Sequence, residues 1–206
     1  MRARLAIYYS GLSVELREVI LRDKPPSMLE YSPKGTVPVL VLSDNQIIDQ
    51  SIDIAYWALR TQDPQQLLPE SASSRSREMD QLINENDFEF KPWLDRYKYA
   101  DRYPENPDSY YREQSQQFLF KLDQQLDSST FLFGDKISIA DIAIAPFIRQ
   151  FANVDKGWFD QSPYPKLQEW LADIIASDAF HTIFNKHDQW QPEHKPIFFP
   201  SEKPNE

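Results

Sequence analysis

The hydrophobic pattern of this chain changes character once, across Thr61 to Glu70 (TQDPQQLLPE). Before that stretch, short β-type and helical patterns alternate. After it no convincing strand occurs, and apolar residues recur at helical spacing. This predicts an α/β domain over residues 1–62, an all-helical domain over 71–190 and an irregular tail over 191–206. A length of 206 residues is ample for two small domains.

In the first part, Ser13 to Leu21 (SVELREVIL) reads as an imperfect strand, and Pro25-Pro26 opens a short helix through Met28-Leu29. Val37 to Leu42 (VPVLVL) is a continuous apolar run, as expected of a strand covered on both faces. Ser43-Asp44-Asn45 is turn chemistry, so Gln46 to Asp49 is the return strand of a hairpin. Ser51 then caps a helix with apolar Ile52, Ile54, Ala55 and Leu59, with Asp53 favourable in its first turn.

In the second part helices are predicted at about 71–102, 108–127, 138–152, 164–176 and 178–185, with Pro92 kinking the first. Phe131-Leu132-Phe133 has strand character but nothing to pair with. The tail carries Pro192, Pro196, Pro200 and Pro204, and Ile197, Phe198 and Phe199 are expected to pack back onto the body. Ser138 and Asp141 have the S-x-x-D form of a capping box, worth ~1 kcal/mol.

Charge and composition exclude several functions. With 22 basic and 32 acidic residues the net charge is −10, which repels phosphate backbones, so nucleic acid is not an expected partner. The chain has no cysteine, so it offers no disulfide, no Cys-ligated metal and no cysteine nucleophile. Its four glycines are too dispersed for a phosphate-cradling loop. His181, His187 and His194 lack metal-ligand spacing and read as surface or tail residues, so no metal is expected. No apolar run approaches the ~18 residues of a membrane span. Met1 to Arg4 is followed by only Leu5 to Tyr9, too short for a signal sequence.

Three segments in order, Ser32-Pro33-Lys34-Gly35-Thr36-Val37-Pro38-Val39-Leu40, Ile48-Asp49-Gln50-Ser51 and Ser138-Ile139-Ala140-Asp141, resemble the glutathione S-transferase superfamily. The resemblance covers nearly the whole chain. It implies α/β plus all-α architecture, a thioredoxin-like N-terminal domain followed by a helical one. It implies that Pro38 follows a cis bond and that the Val37 backbone pairs with the cysteinyl part of glutathione like an added strand. It further implies that Ser51, its helix N-terminus and Gln50 hold the γ-glutamyl carboxylate. Ser51 as a cap of its own helix is compatible with that role. Lys34 matches a lysine that reaches the glycyl carboxylate in some classes, a solvated surface lysine being the other reading. Phe88, Phe90, Trp93, Tyr97, Tyr99 and Tyr103 divide between core and the apolar cleft of an electrophilic substrate.

One departure stands out. The family begins with a strand and a loop carrying the catalytic residue, whereas Met1-Arg2-Ala3-Arg4-Leu5-Ala6 already resembles the interior of the helix that follows. The thioredoxin-like domain is therefore expected to be incomplete, its first strand missing, with the chain shortened or its start placed downstream of the native one. In the bacterial subgroup that it most resembles, the missing piece carries a Cys-Pro motif, so the catalytic residue is unknown within this chain. Without that strand, Ser13–Leu21 must slip toward Val37–Leu42 or the domain must fray. The function expected is a cytoplasmic, homodimeric glutathione transferase or thiol transferase. Its co-substrate is glutathione and its partner substrate a small electrophile or disulfide. The alternative is a non-catalytic protein-interaction module of the same fold.

Overall fold

The computed structural model describes residues 1–200. They form two units, residues 1–65 together with the segment from Asp178 onward, and Gln66–Ser177. Sequence patterning assigns residues 71–190 to the helical domain. The difference lies in Asp178 to Trp190. Helix α10 (Asp178–Ile183) packs against α1 (Arg2–Ser10), and Arg4 Nη1 donates to the Ile183 carbonyl at 3.4 Å.

In the first unit α1 buries Ala3, Leu5, Ala6 and Ile7, largely against α3 (Ser51–Thr61), which buries Ile54, Ala55, Ala58 and Leu59. The apolar positions of α3 fall at the spacing of one helix face. Between these helices lie β1 (Val14–Glu15), α2 (Pro26–Tyr31), β2 (Leu40–Val41) and β3 (Ile47–Ile48). Proline at the start of α2 is as predicted, since its missing N–H is one the helix leaves unbonded anyway.

The strands are shorter than their sequence patterns. β2 and β3 form the expected hairpin, pairing Leu40 with Ile48 and Val41 with Ile47. Val37 and Val41 are 47 % and 38 % exposed, so the apolar run is not covered on both faces. In Ser13–Leu21 the ladder is confined to Val14–Glu15, with single backbone bonds at Leu16 and Glu18 and a bridge from Ile20 to Asp23, and the segment neither slips toward Val37–Leu42 nor frays. Its partner is β4 (Phe198–Phe199), antiparallel, in the segment expected to be irregular. A strand edge needs backbone partners, and the tail supplies them. The part of the tail from Ser201 onward, Pro204 included, lies outside the described residues.

The second unit is helical: α4 (Ser74–Glu85), α5 (Lys91–Lys98), α6 (Asp108–Gln125), α7 (Ile139–Ala152), α8 (Lys156–Gln161) and α9 (Pro165–Ala176). The stretch predicted as one kinked helix is divided by a π-helical turn, Asn86–Phe90, which ends two residues before Pro92. Proline lacks the N–H that would continue the ladder and its ring crowds the carbonyl four residues back, so the helix admits an extra residue there. Phe131 pairs only with Gly134 across a tight turn.

The core helix α7 is nearly all buried from Ile139 to Ala145. Its capping box is formed as predicted. Asp141, fully buried, accepts four hydrogen bonds: from the Ser138 amide (2.8 Å), the Ser138 hydroxyl (2.6 Å), the Leu132 amide (2.9 Å) and Trp170 Nε1 (2.9 Å). Burial pushes its carboxyl above the ordinary range, and the donated hydrogen bonds push back. Among the described residues, no helix is long and apolar enough to cross a membrane.

Candidate functional site

The β2–β3 hairpin determines where the candidate residues stand. Its loop is three residues long. The Leu42 amide bonds the Gln46 carbonyl and the Asn45 amide bonds the Leu42 carbonyl, both at 2.9 Å. Asn45 takes the left-handed conformation at φ 65°, which asparagine tolerates better than most residues. Asp44 Oδ1 accepts the Gln46 amide at 3.0 Å and closes the turn.

This turn fixes the register of the ladder from Leu42–Gln46 to Leu40–Ile48. Leu40 lies opposite Ile48. Outward of that pair the ladder ends: Val37-Pro38 stand three and two residues before β2, and Gln50-Ser51 two and three residues after β3, at the same open end of the hairpin. The Val37–Pro38 bond is cis. Val37 is about half exposed.

The chain leaves β3 through Asp49-Gln50 and turns at once into α3. Ser51 is its first helical residue, not its cap: Gln50 holds the cap position and no side chain closes that end. The expected capping role of the Ser51 hydroxyl is thus not seen. The first amides of α3 and its positive dipole end have no internal acceptor, which suits an anion.

Lys34 reaches this group from the turn ahead of β2. That turn is closed by the Gly35 amide on the Ser32 carbonyl at 2.8 Å. Gly35 has φ 60°, and a Cβ there would stand 3.3 Å from Leu29 Cδ2. Lys34 Nζ sits 3.1 Å from Asp49 Oδ2, with Lys34 66 % and Asp49 31 % exposed. The lysine is thus paired at the surface. Asp49 escaped sequence reasoning as a partner, although it stands inside the same I-D-Q-S segment.

The aromatics divide sharply. Phe90 and Tyr97 are core residues, meeting Phe151 at ring-centroid distances of 5.8 and 5.2 Å. Burial raises the Tyr97 phenol above its ordinary range, opposed by a hydrogen bond with Arg112. Phe88 is 76 % exposed, and Trp93, Tyr99 and Tyr103 are half-buried. Among the described residues, no group of three or more His, Asp or Glu side chains is placed to hold a metal ion.

A short mixed unit presenting a hairpin end beside an uncapped helix, followed by a helical unit around a capping-box helix, defines a class of two-domain proteins. Comparison with known proteins gives that class a name. Residues 1–67 match the family model "Glutathione S-transferase, N-terminal domain" and residues 91–173 match "Glutathione S-transferase, C-terminal domain". The chain belongs to the glutathione S-transferase superfamily, with its thioredoxin-like and helical domains. It is 24 % identical over 187 residues to a probable glutathione S-transferase, parA, of Nicotiana tabacum, spanning 87 % of this chain and 81 % of that one. It is also 24 % identical over 196 residues to elongation factor 1-gamma of Danio rerio, covering 90 % of this chain but only 43 % of the relative's length. The bacterial glutathione S-transferase BphK, solved as a ternary complex, matches at TM-score 0.73 and 25 % identity over 87 % of this chain and 90 % of that chain.

Proposed function

We propose that this protein binds glutathione through Lys34, Val37, Pro38, Gln50 and Ser51 and delivers its thiolate to a small electrophile or a disulfide. One observation supports the reading: Val37 and Ser51 each lie three residues from the same open end of the hairpin, Ser51 at a helix end left without a side-chain cap. An extended peptide laid along Val37 gains main-chain hydrogen bonds, while its γ-glutamyl carboxylate meets the free amides of α3. Lys34, exchanging Asp49 for the glycyl carboxylate, neutralises the other end.

The chemistry follows from the thiolate, the reactive form of the sulfur. Attack on an electrophilic carbon forms the C–S bond and expels the leaving group with its electron pair. Attack on a disulfide forms a mixed disulfide and releases the other sulfur as thiolate. The residue that lowers the thiol's pKa is not among those assigned.

Two open strand edges support a finer reading. β2 bonds β3 through Leu40 and Leu42, so Val39 and Val41 face the other way. β1 bonds β4 through Val14 and Leu16, so Glu15 and Arg17 face away from the tail. Neither edge meets a further strand among the described residues. We infer that a strand they do not supply lies between β1 and β2. By resemblance to the bacterial Cys-Pro subgroup, that strand carries the thiol-activating loop. An in-frame stop codon directly before the Met1 codon would contradict this. The same resemblance supports a homodimer acting in the cytoplasm.

Titration calorimetry with glutathione, followed by turnover of a chlorinated aromatic and of a disulfide, tests the proposal. Saturable binding with turnover of either substrate supports the enzyme. Absence of binding overturns it. The match to elongation factor 1-gamma across 90 % of this chain favours a second reading, a non-catalytic protein-interaction module, for which neither binding nor turnover is expected.

A further inference from the structure

The segment after α10 is fastened to the first unit on both sides of an exposed loop. On the near side, Gln189 Nε2 donates to the Asp23 carbonyl at 3.1 Å and to Asp23 Oδ2 at 3.0 Å. The Trp190 amide donates to the Glu18 carbonyl at 2.8 Å, and the Arg17 guanidinium lies 4.7 Å from the Trp190 ring centroid. Residues 191–196 are then exposed throughout and turn back through a His194 amide bond to the Gln191 carbonyl. On the far side, the Ile197 carbonyl accepts the Leu16 amide at 2.7 Å, and β4 pairs with β1.

The bonds to Glu18, Leu16 and Val14 use the same edge of the β1 segment. Leu16 and Glu18 are two apart, as is Val14 from Leu16, so their backbone groups face one side of an extended chain. The tail's own side chains alternate accordingly: Phe199 is 3 % exposed and Phe198 55 %. The Arg4 guanidinium lies 6.0 Å from the Phe199 ring centroid, while its Nη2 pairs with Glu18 Oε2 at 2.6 Å. Arg4 therefore touches α10, the β1 segment and β4 from a single position on α1.

We propose that Gln189–Phe199 is a clasp that holds the β1 segment in the first unit, with Phe199 as its seat and the 191–196 loop as its free span. A ladder of two residues has little stability by itself, and β1 has no other strand partner among the described residues. Among the described residues, its order therefore rests on the buried ring. Opening the clasp releases β1 locally and leaves the second unit folded.

Hydrogen exchange of the full chain, comparing Phe199→Ala with Phe198→Ala, tests this. Phe199→Ala is expected to speed exchange of the Leu16 amide at least about tenfold, with α7 amides unchanged. Phe198→Ala, removing an exposed ring from the same strand, is expected to leave Leu16 as in the parent chain. Unchanged exchange in Phe199→Ala, equal acceleration by both variants, or loss of α7 protection in step with Leu16 would overturn the clasp. If Phe199→Ala does not fold, Trp190→Ala reads the clasp from its other end, with the same expected and contrary results.

Discussion

Lys34 and Asp49 form an ion pair of 3.1 Å that ties the turn before β2 to the segment between β3 and α3. An exposed pair of this kind contributes ~0–1 kcal/mol, so breaking it costs the fold little. Lys34→Met is expected to weaken glutathione binding several-fold, with an effect that shrinks as salt is raised, and to leave stability nearly unchanged. Asp49→Asn frees the lysine and is expected to preserve or tighten binding. Calorimetric titration at low and high salt checks both.

Ser51→Ala separates two roles that the sequence left together. No side chain caps α3, so its hydroxyl is available to a ligand. The substitution is expected to change unfolding free energy by less than ~0.5 kcal/mol. It is expected to weaken glutathione binding by about tenfold, the loss of one charge-assisted hydrogen bond. A large fall in stability with binding intact would reverse the assignment.

Asn45 governs the register on which the site depends. Asn45→Val forces a β-branched residue into φ 65° and is expected to cost ~1–2 kcal/mol and weaken glutathione binding. Asn45→Gly is expected to retain both. Urea unfolding and titration of the two variants side by side check this.

Asp141 holds the second unit together. Asp141→Ala strands four buried donors, Trp170 Nε1 among them, and is expected to cost ~3–5 kcal/mol. Ser138→Ala removes one of the four and is expected to cost ~1 kcal/mol. Denaturant unfolding followed by tryptophan fluorescence measures both.

Local features of this fold were legible, and distant ones were not. The Ser138–Asp141 box and the Leu42–Gln46 hairpin involve residues within a few positions of each other, and both formed as read. The bonds from Leu132 and Trp170 to Asp141 span 9 and 29 positions and left no local mark. The partner of β1 stands nearly the length of the chain away, so its short ladder could not be foreseen. Helix α8 was missed because six residues beginning Lys156-Gly157 carry too little apolar repetition, although Asp155 caps it through the Trp158 amide. Ser51 was misplaced by one residue, the ordinary precision of a helix boundary.

Glutathione binding as proposed requires the Val37 backbone and the amino end of α3 to serve one tripeptide. Amide shift mapping by nuclear magnetic resonance during glutathione titration tests it most directly. The amides of Val37, Ser51, Ile52 and Asp53 are expected to shift together and saturate along one binding curve. Shifts confined to other residues, or curves for Val37 and Ser51 with different midpoints, would contradict it.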